Sequence, residues 1–148
     1  MRIKYFAYGS CMSFTDILNT TPSAEFVAVV TLEHYELHFP VYAKKRKGGV
    51  ANVFPQEGST VTGILWEVDE TDTLDIREDH PRTYQRTMVN VTLGDNSTQE
   101  VLTYHIPNHL HLRQQYLPST EYWSLLREGE LLGVPSQYFD NIQKIHFN

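Results

Sequence analysis

Apolar and aromatic residues fall along this chain in short runs cut by turn residues, more often at a strand's period than a helix's. Arg2 to Tyr8 predicts a first strand dense in aromatics, which Gly9-Ser10 ends. A short helix is expected over Phe14 to Leu18. Two strand-like stretches follow, Phe26–Leu32 and Tyr35–Phe39, then a loop holding Lys44-Lys45-Arg46-Lys47 and Gly48-Gly49. Val50–Phe54 and Val61–Val68 predict two more strands, and Gln56-Glu57-Gly58-Ser59 between them reads as a hairpin turn.

Asp69-Glu70-Thr71-Asp72 is rich in capping residues and in acids that suit a helix's first turn, so a short helix is expected over Thr71 to Arg77. Tyr84–Leu93 and Glu100–His105 read as strands joined at Gly94-Asp95-Asn96-Ser97. The last third is helical. Ser119 or Thr120 caps a helix carrying Tyr122, Leu125, Leu126 and Leu132 mostly on one face, and Gly133 ends it. Pro135 suits the first turn of a final helix with Tyr138, Phe139, Ile142 and Ile145 at helical spacing. Strands joined mostly by short turns imply an α+β domain, residues 1–148, built on a small antiparallel or mixed β-barrel of five to seven strands flanked by helices.

Composition narrows the class. The 148 residues suit one core, and 41% hydrophobic with 20% charged is ordinary for a soluble globule. The longest apolar runs, such as Phe26 to Val30, are far too short to span a bilayer, and no apolar segment behind Arg2 and Lys4 suggests a secretory signal. A net charge of -6 argues against nucleic acid as a partner. One cysteine rules out an intrachain disulfide and a multi-cysteine zinc cage, and points to a reducing, cytoplasmic compartment.

Two places concentrate candidate chemistry. In Tyr5-Phe6-Ala7-Tyr8-Gly9-Ser10-Cys11-Met12 a strand runs straight into a glycine turn and then a helix start. Gly9 permits close approach of backbone to a ligand, and successive N–H groups of Gly9, Ser10 and Cys11 could converge on an anion. A plain strand-to-helix turn would have the same local pattern. The second place is Leu74-Asp75-Ile76-Arg77-Glu78, followed by Tyr84. Neighbouring acids and a helix C-terminus would raise the pKa of a shielded Glu78 toward that of a general base; a solvated acidic face is the plainer alternative.

These motifs together resemble the gamma-glutamylcyclotransferase family. The resemblance rests on Tyr5-Phe6-Ala7-Tyr8-Gly9-Ser10, then Gly48-Gly49-Val50-Ala51, Gly63-Ile64-Leu65-Trp66, the Leu74-Asp75-x-x-Glu78 run with Tyr84 six positions on, Pro118-Ser119-Thr120-Glu121-Tyr122, and Gly133-Val134-Pro135 with Tyr138. It covers about Tyr5 to Ile145. It implies the family's small barrel and its reaction: the α-amino group of a γ-glutamyl unit attacks its own side-chain carbonyl, giving 5-oxoproline and a free amine. The family's catalytic glutamate falls on Glu78, its substrate loop on Tyr5 to Ser10, and a substrate-binding tyrosine on Tyr122. We extend the substrate-binding role to Cys11 and Tyr84. The partner would be a small γ-glutamyl compound, and no metal or cofactor is implied. This chain departs from the family at Cys11, where asparagine is usual, and at Asp79-His80-Pro81, where glycine is frequent.

Other readings compete. Cys11 after a tight turn could be the nucleophile of an amidohydrolase with a histidine as base. The pocket could bind γ-glutamyl or 5-oxoproline groups without turnover. His109-x-His111 lacks a third ligand for a metal, and Asn96-Ser97-Thr98 matches a glycosylation acceptor without a secretory context. Lys44 to Lys47 reads as a solvated loop that would attract anions.

Overall fold

The aromatic N-terminal run forms a strand because both of its sides are taken: one edge pairs with a long ladder and the other closes a barrel. A computed structural model describes residues 2–69, 84–107 and 115–147. The strands are β1 (Ile3–Ala7), β2 (Glu25–Ala43), β3 (Gly48–Val68), β4 (Gln85–Thr92) and β5 (Thr98–His105). They close in the order β1-β3-β2-β4-β5. Neighbours are antiparallel except at the closing seam, where β1 meets β5 in parallel at Tyr5 and Leu102. The described helices are α1 (Phe14–Thr20), α2 (Thr120–Arg127) and α3 (Ser136–His146). This is the α+β class expected, with five strands in a mixed barrel. Phe6, Ile64, Leu65, Trp66 and Val91 are fully buried within it.

Three expectations need correction. Phe26–Leu32 and Tyr35–Phe39 are not separate strands but parts of the 19-residue β2. Likewise Val50–Phe54 and Val61–Val68 belong to the single 21-residue β3. Gln56 to Ser59 is no hairpin turn: Glu33 pairs with Thr60 and Tyr35 with Pro55, so these residues bulge out of one ladder opposite His34. His34 at φ 65° and Gly58 at φ 87° supply the left-handed backbone that such a bulge needs. Third, Leu132 lies beyond α2, in a following 3₁₀ segment, Glu128–Leu132, which Gly133 ends at φ 114°. Ser119 is the residue that caps α2, its Oγ accepting from the Tyr122 N–H at 3.1 Å.

In α3, Phe139 and Ile142 are buried while Ile145 is 69% exposed. Three-residue steps drift by about 60° each around a helix, and by the third position the side chain has left the apolar stripe. The helix expected over 71–77, Glu78 and the His109/His111 pair all lie outside the described residues. Among the described residues no helix is long and apolar enough to cross a membrane.

Gly63 shows how tightly β1 is seated on β3. A Cβ there would overlap the Ala7 carbonyl oxygen and come within 2.7 Å of the Phe6 ring. By contrast, a Cβ on Gly94 would meet nothing within 4 Å. We expect Gly63→Ala to lower stability in urea unfolding by about 1–3 kcal/mol, and Gly94→Ala to stay within about 0.5 kcal/mol of the parent. Equal effects would mean that the β1–β3 contact is loose.

Candidate functional site

Parallel strands end at the same edge of a sheet, so the ends of β1 and β5 emerge together. Tyr8, just past β1, donates through Oη to the Tyr104 carbonyl at 2.6 Å, and Thr103 Oγ1 donates back to the Phe6 carbonyl at 2.8 Å. A small cleft opens at this edge. Tyr5 and Tyr8 line it from the first strand, Gly9, Ser10 and Cys11 from the turn, Ala51 from β3, Tyr84 from the lead into β4, Tyr104 from β5 and Tyr122 from α2.

After β1 the chain tightens into a 3₁₀ turn, Ser10–Met12, headed by Gly9. The Gly9 carbonyl accepts from the Met12 N–H and the Ser10 carbonyl from the Ser13 N–H, each at 3.0 Å. Gly9 has an ordinary negative φ of -112°. A Cβ there would sit 3.3 Å from Tyr122 Oη, a tight contact that the tyrosine would have to yield to. The turn is fixed from below by Trp66, whose indole Nε1 donates to the Cys11 carbonyl at 2.9 Å. The Cys11 side chain is buried.

β3 reaches the cleft at Ala51, beyond the five positions that pair with β1. Two tyrosines serve the peptide groups there: Ala51 N–H donates to Tyr122 Oη at 3.0 Å, and Tyr84 Oη donates to the Ala51 carbonyl at 2.6 Å. The next residue, fully buried Asn52, clasps the main chain of Ile106. Its Oδ1 accepts from the Ile106 N–H at 2.7 Å and its Nδ2 donates to the Ile106 carbonyl at 3.3 Å. Beside the cleft, burial alone holds the pKa of His105 below its ordinary 6.5, which favours the neutral ring near pH 7.

Seven of the expected site residues therefore meet in one cleft: Tyr5, Tyr8, Gly9, Ser10, Cys11, Tyr84 and Tyr122. Phe6 and Ala7 are instead buried in the core. Strand alternation sends Phe6 to the face opposite Tyr5. Glu78 lies outside the described residues. Sequence reasoning missed Ala51 and Tyr104, which reach the site only through strand register. It also missed Arg46. That side chain leaves the basic loop, donates from Nη2 to Ser10 Oγ at 3.2 Å, lies 3.6 Å from Asp16 and stacks its guanidinium 5.5 Å from the Tyr122 ring centre. Among the described lining residues there is no histidine to serve as a base for Cys11.

Comparison with known proteins gives a consistent result. A family model described as "Gamma-glutamyl cyclotransferase, AIG2-like" matches residues 5–125. A gamma-glutamylcyclotransferase of Bos taurus is 25% identical over 152 residues, spanning 97% of this chain and 79% of its own. The Homo sapiens protein of the same name gives 25% identity over the same spans. A solved structure titled gamma-glutamyl cyclotransferase superposes with a TM-score of 0.87 at 23% identity, covering 97% of this chain and 87% of its own.

The tyrosine pair on Ala51 generates a test. Removing the Tyr122 hydroxyl leaves the Ala51 N–H buried without an acceptor, and we expect Tyr122→Phe to cost about 1–3 kcal/mol in urea unfolding. Tyr84→Phe is expected to act through the same peptide, so the double variant should depart from additivity by at least about 0.5 kcal/mol. Strict additivity would show that the two hydroxyls do not act together.

Proposed function

The chain belongs to the gamma-glutamyl cyclotransferase, AIG2-like family, and from that premise we propose that it is a gamma-glutamylcyclotransferase acting at this cleft. Its substrate is a small γ-glutamyl amine or γ-glutamyl amino acid. The α-amino nitrogen attacks the γ-carbonyl carbon of the same glutamyl unit, the bond to the attached amine breaks, and 5-oxoproline and the free amine leave. The observation that carries this reading is the cleft at the end of β1, where the Gly9 turn and five tyrosines converge in a chain the family model matches from Tyr5 onward.

Both reacting groups arrive in one molecule, so the site's work is to hold them in register; oriented intramolecular pairs reach effective molarities of about 10⁵–10⁸ M. The remaining obstacle is the proton on the α-ammonium. We assign its removal to Glu78, which then hands the proton to the departing nitrogen. An ordinary glutamate lies about 3.5 pKa units below an α-amino group, a gap of about 5 kcal/mol. Each unit by which its surroundings raise Glu78 recovers about 1.4 kcal/mol. Tyr84, on the cleft wall, stands six positions after Glu78 in the sequence.

We assign the negative charge that develops on the γ-carbonyl oxygen to main-chain N–H groups of the Gly9–Cys11 turn; a donor of this kind contributes about 2.7–4 kcal/mol. Tyr5, Tyr8, Tyr84 and Tyr122 would frame the glutamyl chain. Each step is an acyl substitution or a proton transfer, chemistry that a carboxyl and main-chain donors supply. A single buried thiol fits a reducing compartment, and we place the enzyme in the cytoplasm as one domain over residues 1–148.

Release of 5-oxoproline from a panel of γ-glutamyl compounds, followed by mass, tests the activity. On any accepted compound we expect Glu78→Gln to lower kcat by about 10²–10⁴ while the thermal transition stays near that of the parent. Turnover near the parent level in that variant would remove Glu78 from the mechanism.

A further inference from the structure

We propose that Arg46 is a specificity residue that binds a carboxylate on the departing amine, so that the enzyme favours γ-glutamyl amino acids over γ-glutamyl amines lacking an acid. The inference rests on the cyclotransferase reading above.

The basic run at 44–47 lies in the connection between β2 and β3. A 3₁₀ turn, Lys44–Arg46, is closed by Lys47 at φ 59°, and that reversal separates Arg46 from its neighbours. Lys44, Lys45 and Lys47 are exposed, whereas the Arg46 side chain is 28% exposed and turned onto the cleft rim. It touches two lining residues, Ser10 through Nη2 and the ring of Tyr122 through its cation face. The lining side chains of Tyr5, Tyr8, Cys11, Tyr104 and Tyr122 are all at most 6% exposed. Arg46 is therefore on the solvent side of residues that would enclose the glutamyl unit. A group extending out of the cleft past Ser10 and Tyr122 would meet the guanidinium, and with the glutamyl unit enclosed by the tyrosines we take that group to be the leaving amine.

The side chain is also prepared for an anion. Its hydrogen bond to Ser10 and its approach to Asp16 both use Nη2, and among the described residues neither contact involves Nε or Nη1. Guanidinium offers five N–H donors in a rigid fork that fits a carboxylate with two parallel bonds. Asp16 and the Tyr122 ring hold the fork in place, so little rotamer freedom remains to be lost on binding. The α-carboxylate of an amino-acid leaving group lies one carbon from the scissile nitrogen.

Two matched compounds test this: γ-glutamylalanine, whose leaving amine bears a carboxylate, and γ-glutamylethylamide, whose leaving amine does not. In the parent, kcat/KM should favour the first. In Arg46→Gln that preference should shrink by about tenfold to a hundredfold, mainly through KM, and Arg46→Lys should restore part of it. Binding of both compounds to the Glu78→Gln protein, with and without Arg46→Gln, followed by calorimetry, should show the same selective loss. If Arg46→Gln weakens both compounds equally, in turnover and in binding, the residue serves the turn or the shared glutamyl group and the proposal is overturned. If the parent releases 5-oxoproline from no member of the panel, the cyclotransferase reading fails; selective loss of carboxylate binding in Arg46→Gln would still uphold the anion site, and its absence would end that too.

Discussion

The free edge of β3 is the constraint around which this end of the barrel is organised. Only Ile64 to Val68 of that strand pair with β1. The earlier part pairs with β2 on one side, and its other side would present unpaired peptide groups. A buried backbone group without a partner costs about as much as a lost hydrogen bond, so the edge must be covered. Tyrosine hydroxyls from α2 and from the lead into β4 cover Ala51, and a fully buried asparagine at position 52 ties the strand to the chain leaving β5. At Ala51 side chains, rather than another strand, satisfy this edge, whereas at Gly49 the N–H donates to the Leu117 carbonyl at 3.0 Å. A strand would have filled the space; two phenol rings bracket it.

That solution links distant parts of the chain. Ala51 and Tyr122 are 71 residues apart in sequence, and Tyr8 and Tyr104 are 96 apart. The polar groups in these bonds are buried or half-buried, where a hydrogen bond is stronger and a missing partner costs more than in water. The rings that frame the cleft are thereby held by the same bonds that hold the barrel's edge. Preorganisation of this kind is what an oriented intramolecular reaction requires, since misplacement of a reacting group by about 1 Å can cost a hundredfold in rate.

Local signals made part of this legible. An aromatic run into Gly9 marked a strand ending at a turn, and the turn lines the cleft. Ser119 signalled the start of α2, and so fixed where Tyr122 falls. What failed was anything decided by register. Gln56 to Ser59 has the composition of a reversal, yet β2 pairs with β3 on both sides of it, so the turn chemistry made a bulge instead. Ala51 has no chemistry of its own to notice; its peptide matters because the strand edge is open there. Phe6 shows the converse: alternation along β1 turns it to the face opposite Tyr5, whatever motif it belongs to.

Arg46 separates charge from context most clearly. Four consecutive basic residues read as a solvated loop, and for three of them exposure agrees. The fourth differs because Lys47 adopts a left-handed conformation and bends the connection back toward Ser10. Lysine pays a steric penalty there that glycine would not. The strain is offset by an ion pair, a hydrogen bond and a ring contact, each gained only when Arg46 faces the cleft. The ion pair with the largely buried Asp16 acts together with the hydrogen bond to Ser10 and the contact with the Tyr122 ring. Together these contacts place the guanidinium on the rim it shares with Ser10 and Tyr122, where a positive charge would meet an anion entering the cleft.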